Sequence, residues 1–244
     1  QPDVEYATVD RILKRHYVPD DTQYVDQWHY LPTSSGDYGM NAEGAWDVIT
    51  GSSEIYVAVV DGGVLLGHPD LAGRTIGGYD FVSSDLGDPD FTKDGNGRDS
   101  DPSDPGDFVT PGEASEVGGP YEGCDTVSVW HGTHVAGTIA AASDNAVGVS
   151  GVNWMSKVVP VRVLGKCGSG NASDIIDGMR WAGGLPVSGV PNNTHPVRVI
   201  NLSLGGPAIC TAEWSSAINE LLARQVAVVI SAGNSNTNAS RNKP

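Results

Sequence analysis

The chain has 244 residues, which is long enough for one sizeable domain with its own hydrophobic core. Its 14 basic and 30 acidic residues leave a formal net charge of -16, so a nucleic acid or an anionic membrane surface would be repelled, whereas calcium or a cationic peptide would be attracted. No stretch approaches the ~20 apolar residues that cross a bilayer, and no signal peptide is recognisable, so we expect a soluble chain that has already lost any such signal.

Strand and helix patterns alternate along the chain. An amphipathic helix predicted at 41–49 is followed by an apolar, β-branched run at 55–60, which is typical of a strand buried on both faces. The later predictions are, in order, helix 131–142, strand 157–164, helix 172–182 capped by Asn171 or Ser173, strand 197–202, helix 211–224 and strand 226–231. This order predicts an α/β fold, a three-layer sandwich in which helices flank a mostly parallel central sheet.

Residues 83–130 break this alternation. Asp, Gly, Pro and Ser dominate the segment, and little of it is expected to enter a core. A connection of this length is usually either functional or disordered, and both interpretations remain open from the sequence.

Asp61 ends the predicted strand at 55–60, where functional groups of a parallel sheet collect. A carboxylate buried there needs a partner, and an imidazole N–H would serve. The alternative is a capping or turn aspartate before Gly62. Ser203 and Asn234 also follow predicted strands.

His131 and His134 are three residues apart at the start of a predicted helix. That spacing suggests a metal pair, but zincin-type sites place their histidines four apart with a glutamate between them. We expect His131 to face the loops and His134 to be a buried structural histidine.

Four segments, in order, resemble the motifs of the subtilisin-like serine proteases, the subtilases. Asp61 lies in Val-Ala-Val-Val-Asp-Gly-Gly-Val and His131 in His-Gly-Thr-His-Val-Ala-Gly-Thr. The third segment is Val-Ile-Asn-Leu-Ser-Leu-Gly-Gly at 199–206, and the fourth is Val-Val-Ile-Ser-Ala-Gly-Asn at 228–234. The resemblance covers residues 17–244 and is closest to secreted bacterial members with a long acidic insertion before the histidine.

The resemblance implies a role for each matched residue. His131 would be the general base and then the general acid, Asp61 would hold its tautomer, and Asn234 would donate to the oxyanion. An extended polypeptide substrate would pair with two edges of backbone. The substrate-binding residues implied are Leu164, Gly168, Ser169 and Gly170 on one side, Ser203, Leu204, Gly205 and Gly206 on the other, and Ala232 and Gly233 before Asn234.

The family's serine motif, Gly-Thr-Ser-Met-Ala, does not occur in this sequence, and Ser203, Ser231, Ser235 and Ser240 do not fit its place. We therefore expect 17–244 to be the N-terminal portion of a catalytic domain whose serine lies beyond Pro244. The chain alone would then be inactive. Residues 1–16 resemble the end of a family propeptide, which implies a zymogen.

Calcium is the cofactor that the resemblance implies. Asp21, Asp70 and Asn145 would bind it together with backbone carbonyls around Val147 and Val149, and such oxygen ligands suit this hard cation. A second calcium site, with a solvated acidic loop as the alternative, is predicted from Asp94, Asn96, Asp99, Asp101, Asp104 and Asp107.

Three cysteines are an odd number, so in an oxidising compartment one lacks a partner within the chain, whereas in the cytosol all three would be free thiols. The resemblance favours secretion and a disulfide between Cys167 and Cys210. Cys124 would then pair with the segment beyond Pro244.

Two other functions remain open. A subtilisin-like module without a serine would bind peptides through the same two edges. A metal-dependent hydrolase would instead use Asp61, His131 and His134.

Overall fold

Strands and helices alternate along the chain in the computed structural model, which describes residues 9, 17–32, 38–83, 87–206, 210–234 and 236. The strands are β1 (Tyr56–Asp61), β2 (Tyr79–Asp80), β3 (Lys157–Arg162), β4 (Val199–Leu202) and β5 (Ala227–Ile230). The helices are α1 (Ala42–Trp46), α2 (Pro111–Ser115), α3 (His131–Ala140), α4 (Ala172–Ala182) and α5 (Ala212–Ala223). Strand β2 and helix α2 are the elements that the sequence patterns miss.

The five strands form one parallel sheet in the order β2-β3-β1-β4-β5. Side chains of β1 alternate between the two faces: Val59 packs against α3, whereas Ala58 and Val60 belong to the core that α4 and α5 cover. The predicted α/β fold, a parallel sheet flanked by helices, is thereby confirmed.

Small residues let helix α3 approach the sheet closely. A side chain at Gly132 would place its Cβ 2.1 Å from the carbonyl oxygen of Gly63, so only glycine fits where the helix begins. Ala136 and Ala140 continue this face and are fully buried. The first turn of α3 is thus fixed against the end of β1.

The segment 87–130 is more ordered than its composition suggests. Phe91 and Val109 are buried, which corrects the expectation that little of the segment enters a core. Helix α2 begins with a complete capping box between Thr110 and Glu113. The segment 87–130 therefore contains buried side chains and a capped helix and is not simply a solvated loop.

Two buried cations hold this segment to the end of β3. The guanidinium of Arg162, 0% exposed, contacts Asp80 and lies 2.7 Å from Asp94. The ammonium of Lys166 donates to Asp88 at 3.0 Å and also contacts Glu113. Because buried charges need partners, the acidic residues of the segment and the two cations stabilise one another.

The disulfide joins Cys124 to Cys167, with 5.7 Å between their Cα atoms. The predicted pair of Cys167 and Cys210 is wrong, as is the expectation that Cys124 pairs beyond Pro244. The backbone N–H of Cys167 donates to the carbonyl of Asp107 at 2.7 Å, so the loop after β3 faces the long segment rather than the loop after β4. Cys210 is an exposed free thiol.

Two expectations concern other parts of the chain. The propeptide resemblance of residues 1–16 falls, apart from Val9, outside the described residues. No helix within the described ranges has the length and apolarity to cross a membrane.

Candidate active site

Asp61 and His131 form a close pair. Nδ1 of His131 lies 2.9 Å from each carboxylate oxygen of Asp61. Asp61 is fully buried, and its Oδ1 also accepts from the backbone N–H of Gly62 at 2.8 Å, whereas the side chain of His131 is half exposed. The hydrogen bond to Asp61 raises the pKa of His131, and burial opposes this effect. The pair thus combines a fixed carboxylate with an accessible imidazole.

The pair forms where the end of β1 meets the start of α3. Asp61 is the last residue of β1, and its backbone carbonyl accepts from Val163 at 2.7 Å, which holds the strand end in the sheet. Trp130, with a φ of 55°, turns the chain into α3 so that His131 opens the helix. The close contact at Gly132 then brings the imidazole onto Asp61.

A cavity of about 320 Å³ opens beside this pair. Leu164 and Gly168 from the loop after β3 line it together with Ser203, Leu204 and Gly205 from the loop after β4, and all five are among the predicted substrate-binding residues. Its remaining lining residues are Asp61, Gly62, Asp104, Asp107, Asp125, Val129, His131 and Cys167. The cavity is thus lined by the pair of Asp61 and His131, by three further acidic residues and by uncharged residues of two loops.

Ser203 lines the cavity, whereas several other residues predicted for this site do not. The hydroxyl of Ser203 accepts from the side-chain amide of Asn201 at 2.9 Å. Asn234, which follows β5, is exposed. The predicted substrate-binding residues outside the lining are Ser169, Gly170, Gly206, Ala232 and Gly233.

His134 does not join the pair. It is exposed rather than buried, so the expectation of a buried structural histidine is wrong, and it faces a separate cavity of about 640 Å³ that His29 and His68 also line. Within the described part of the chain, no group of three or more His, Cys, Asp or Glu residues is arranged to hold a metal ion. Among the described residues, the pair of Asp61 and His131 is therefore not part of a metal-binding cluster with His134.

The first predicted calcium ligands lie close together. The carboxylate of Asp21 accepts from the backbone N–H of Asp144 at 2.9 Å, and Oδ2 of Asp70 accepts from that of Val149 at 2.9 Å. Burial, followed by the nearby charge of Asp70, raises the pKa of Asp21. Oδ1 of Asp70 is buried and has no hydrogen-bond partner among the described residues. Such an atom fits a cation, because a bare buried carboxylate oxygen is costly.

Local turns shape the loop at 144–149. Asn145 accepts from the backbone N–H of Val147 at 2.8 Å, and a Cβ at Gly148 would come within 2.3 Å of Oδ2 of Asp70. Gly148, with a φ of 58°, thereby lets the loop close over the carboxylate.

The six residues predicted as a second calcium site do not converge. Asp94 pairs with Arg162, and Asn96 donates to Asp99 at 2.8 Å. Asp101 contacts Ser103, whereas Asp104 and Asp107 line the cavity beside His131. Asp125, which the sequence analysis did not single out, lines the same cavity as Asp104 and Asp107.

The comparisons with known proteins agree with this geometry. The sequence model of the Subtilase family, Peptidase S8, matches residues 52–244. An extracellular protease of Xanthomonas campestris pv. campestris is 45% identical over 243 residues, which is 100% of this chain and 39% of that protein. An extracellular basic protease of Dichelobacter nodosus is 44% identical over 243 residues, 100% of this chain and 38% of that protein.

A solved structure of a protease from Pseudoalteromonas arctica PAMC 21717 is 46% identical to this chain, with a TM-score of 0.80. The match covers 93% of this chain and 62% of that one. The chain thus spans about two fifths of the length of the two curated relatives.

Proposed function

The chain belongs to the subtilase family of serine proteases, and we propose that Asp61 and His131 are two members of the Asp/His/Ser triad of an endopeptidase. The observation that carries this proposal is the pair itself, with Nδ1 of His131 2.9 Å from both oxygens of a buried carboxylate. A serine hydroxyl placed at the open side of His131 would complete the triad.

In this proposal His131 accepts the serine proton as the hydroxyl attacks the peptide carbonyl, and then gives that proton to the leaving amine. Asp61 keeps Nδ1 protonated, so that Nε2 is free to accept, and it stabilises the imidazolium that forms. Its burial and its bond from Gly62 hold the carboxylate in one position.

We place the nucleophile in sequence that follows Pro244. The chain contains no Gly-Thr-Ser-Met-Ala sequence, and the cavity serine, Ser203, makes its hydrogen bond with Asn201. Val229 in the outer strand β5 is 53% exposed, as expected of a sheet that further chain would cover. On this proposal residues 17–244 are the N-terminal portion of the catalytic domain and are inactive alone.

The substrate is proposed to be a polypeptide that pairs with the backbone at Leu164 and Gly168–Gly170 on one side, and at Ser203–Gly206 on the other. Asn234, after Ala232 and Gly233, would donate its side-chain amide to the oxyanion. The cavity that Leu164, Gly168 and residues 203–205 line supports the placement of the substrate between the two edges.

We propose a structural calcium ion held by Asp21, Asp70, Asn145 and carbonyls near Val147 and Val149. When bound, it would neutralise the two buried carboxylates and tie the chain near Asp21 to the loop at 144–149. Chelation with EDTA should lower the melting temperature of the full-length protein, and calcium should restore it. An Asp70→Asn variant should melt at the same temperature with or without EDTA; an unchanged melt of the parent protein contradicts the site.

Secretion and activation from a zymogen complete the proposal. Two relatives carry the word extracellular in their names, and the disulfide between Cys124 and Cys167 suits an oxidising compartment. Residues 1–16 would be the end of the propeptide.

The test is labelling of the full-length protein with a serine-directed phosphonate, followed by peptide mass analysis. We expect the label on a serine beyond Pro244, loss of labelling in His131→Ala, and unchanged labelling in His134→Ala. Label on the purified 244-residue chain would contradict the placement of the serine. Peptide binding without labelling would instead indicate a non-catalytic module, and chelator-sensitive activity without labelling would indicate a metal-dependent hydrolase.

A further inference from the structure

Asp107 is a charged residue of the cleft to which the triad assigns no role. It lies in the long segment, far from β1 in sequence, yet it lines the cavity that contains Asp61 and His131. Its Oδ1 accepts from the backbone N–H of Val129 at 2.9 Å, and Val129 is two residues before His131. The carboxylate is thus anchored to the chain that leads into the histidine.

The backbone around Asp107 is also fixed. Gly106, with a φ of 95°, lies so close to Ser128 that a Cβ there would be 2.3 Å from its hydroxyl oxygen. The carbonyl of Asp107 accepts from Cys167 at 2.7 Å, and the disulfide ties Cys167 to Cys124. Because both ends of this contact are anchored, the charge of Asp107 is held at one wall of the cleft.

No cation of the described residues lines this cavity. Its titratable groups are Asp61 from β1, the imidazole of His131 from α3, and Asp104, Asp107 and Asp125 from the long segment. The loops after β3 and β4 contribute uncharged residues: Leu164, Cys167, Gly168, Ser203, Leu204 and Gly205. The guanidinium of Arg162 is occupied with Asp80 and Asp94.

The three carboxylates of the wall are not equivalent. Asp104 is turned to its own backbone, where it accepts from Gly106 at 2.8 Å, and burial raises its pKa. Asp125 is exposed, so water screens its charge. The hydrogen bond and the charge of Asp61 raise the pKa of His131 most, and the charge of Asp107 raises it further.

We propose that Asp107 is a positioning residue for His131: its fixed carboxylate favours the imidazolium that forms when the histidine accepts the serine proton. This inference rests on the proposed triad, in which positive charge develops on His131 during attack. Asp61 contacts Nδ1 of His131 directly and keeps that nitrogen protonated. Asp107 adds a second negative charge in the same cavity, supplied by a segment that the catalytic motifs do not include.

The charge of Asp107 shifts the pH dependence of His131 in one direction. A carboxylate near an imidazole favours its charged form, so the pKa of His131 is higher with Asp107 than without it. Since the neutral imidazole is the base, the acidic limb of the kcat/KM profile lies at a higher pH in the parent protein. Removal of the charge moves this limb to lower pH and weakens stabilisation of the imidazolium.

The experiment compares Asp107→Asn with Asp107→Glu and Asp125→Asn in the full-length protein. Asn keeps an oxygen that can accept from Val129, so the variant removes charge with little change in shape. We expect its acidic limb to move down by about 0.5 pH unit, which is about threefold in the ionisation of His131. Asp107→Glu should retain the parent limb, and Asp125→Asn, the same charge change at an exposed position, should move it clearly less.

A second readout does not depend on turnover. The rate at which diethyl pyrocarbonate modifies His131, followed by peptide mass analysis across pH, reports the pKa of the imidazole directly. A lower pKa in Asp107→Asn shows that the charge of Asp107 acts on His131, whether or not serine labelling succeeds; failed labelling alone would count against the triad. An unchanged pKa and an unchanged limb in a folded, labelled Asp107→Asn protein overturn the inference and leave the triad intact, and so do equal shifts in Asp107→Asn and Asp125→Asn.

Discussion

The two walls of the cleft are built in different ways. At the junction of β1 and α3, apolar strand residues and a close glycine contact bring Asp61 against His131. The opposite wall, residues 87–130, is held by two buried cations, by a disulfide and by few apolar side chains. On the proposed function, the reacting groups belong to the first wall, whereas the second wall supplies the other acidic residues that line the cleft.

The largest effect should come from the first wall. Asp61→Asn in the full-length protein should lower kcat about 10⁴-fold, the size of this change in another serine protease, because an amide can stabilise the wrong tautomer of the histidine. Steady-state kinetics on a peptide substrate would measure it. His134→Ala, which changes a histidine of the same helix outside the cleft, should retain the parent kcat; a loss as large as that of Asp61→Asn would remove the distinction between the two histidines.

The next effect tests the cations of the second wall. Arg162→Met should destabilise the fold by about 3 to 5 kcal/mol, because it leaves the buried carboxylate of Asp80 without its partner. Denaturant unfolding gives this value. Arg180→Met breaks a partly exposed pair with Glu220 and should cost at most about 1 kcal/mol. Similar losses in the two variants would show that burial of the pair at Arg162 is unimportant.

The disulfide provides a third comparison. Replacing Cys124 and Cys167 together by serine removes a link between residues 43 positions apart and should cost about 2 to 4 kcal/mol. Because the link joins the long segment to the loop after β3, proteolysis should begin within 87–130 while the sheet persists. The matched control is Cys210→Ser, which removes the free thiol and should leave the cleavage pattern unchanged. Cuts that appear first in the sheet would contradict this assignment.

The smallest effect is expected from acid. The hydrogen bond from Tyr121, with a further one from Lys166, lowers the pKa of Asp88 to about 2, and the hydrogen bond from Lys166, with help from Thr110, lowers that of Glu113 to about 2. Depressed carboxyl pKa values contribute stability above the unfolded pKa of about 4, and this stability is lost as pH falls toward 2. Hydrogen exchange should therefore show 87–130 loosening in that window.

A variant at Lys166 tests whether the ion pairs of Asp88 and Glu113 cause this acid response. Lys166→Met removes the shared partner of both carboxylates, so the segment should already exchange faster at neutral pH and change less on acidification. If the strands β1 and β3 loosen together with 87–130 in the parent protein, the two walls do not differ in the way proposed.

Much of the first wall could be predicted from the sequence, because its signals are local. The apolar run before Asp61 predicted a buried strand, and the small residues after His131 predicted a helix that can pack closely. The order of these elements predicted the parallel sheet, and parallel strands bring their carboxyl ends to one edge. The prediction that His134 is buried was wrong, because burial depends on what covers each face of the helix. The spacing of residues along the helix does not reveal this.

The second wall could not be derived in this way. Its composition resembles that of a solvated loop, since the residues that order it are charged and their partners lie far along the chain. Arginine and lysine are almost never fully buried unless they are paired, yet Arg162 and Lys166 are among the most buried side chains of the described residues. The pairing of Cys124 with Cys167 likewise depends on which loops face each other in space.

The sequence by itself determined the family, the order of strands and helices, and the identity of Asp61 and His131, because short motifs and periodic patterns are local properties. The tertiary structure decided the disulfide, the pairing of Asp94 with Arg162, and the place of Asp107 in the cleft. These outcomes depend on contacts between distant segments of the chain. Such contacts form only where the ion pair or the crosslink offsets the loss of chain entropy.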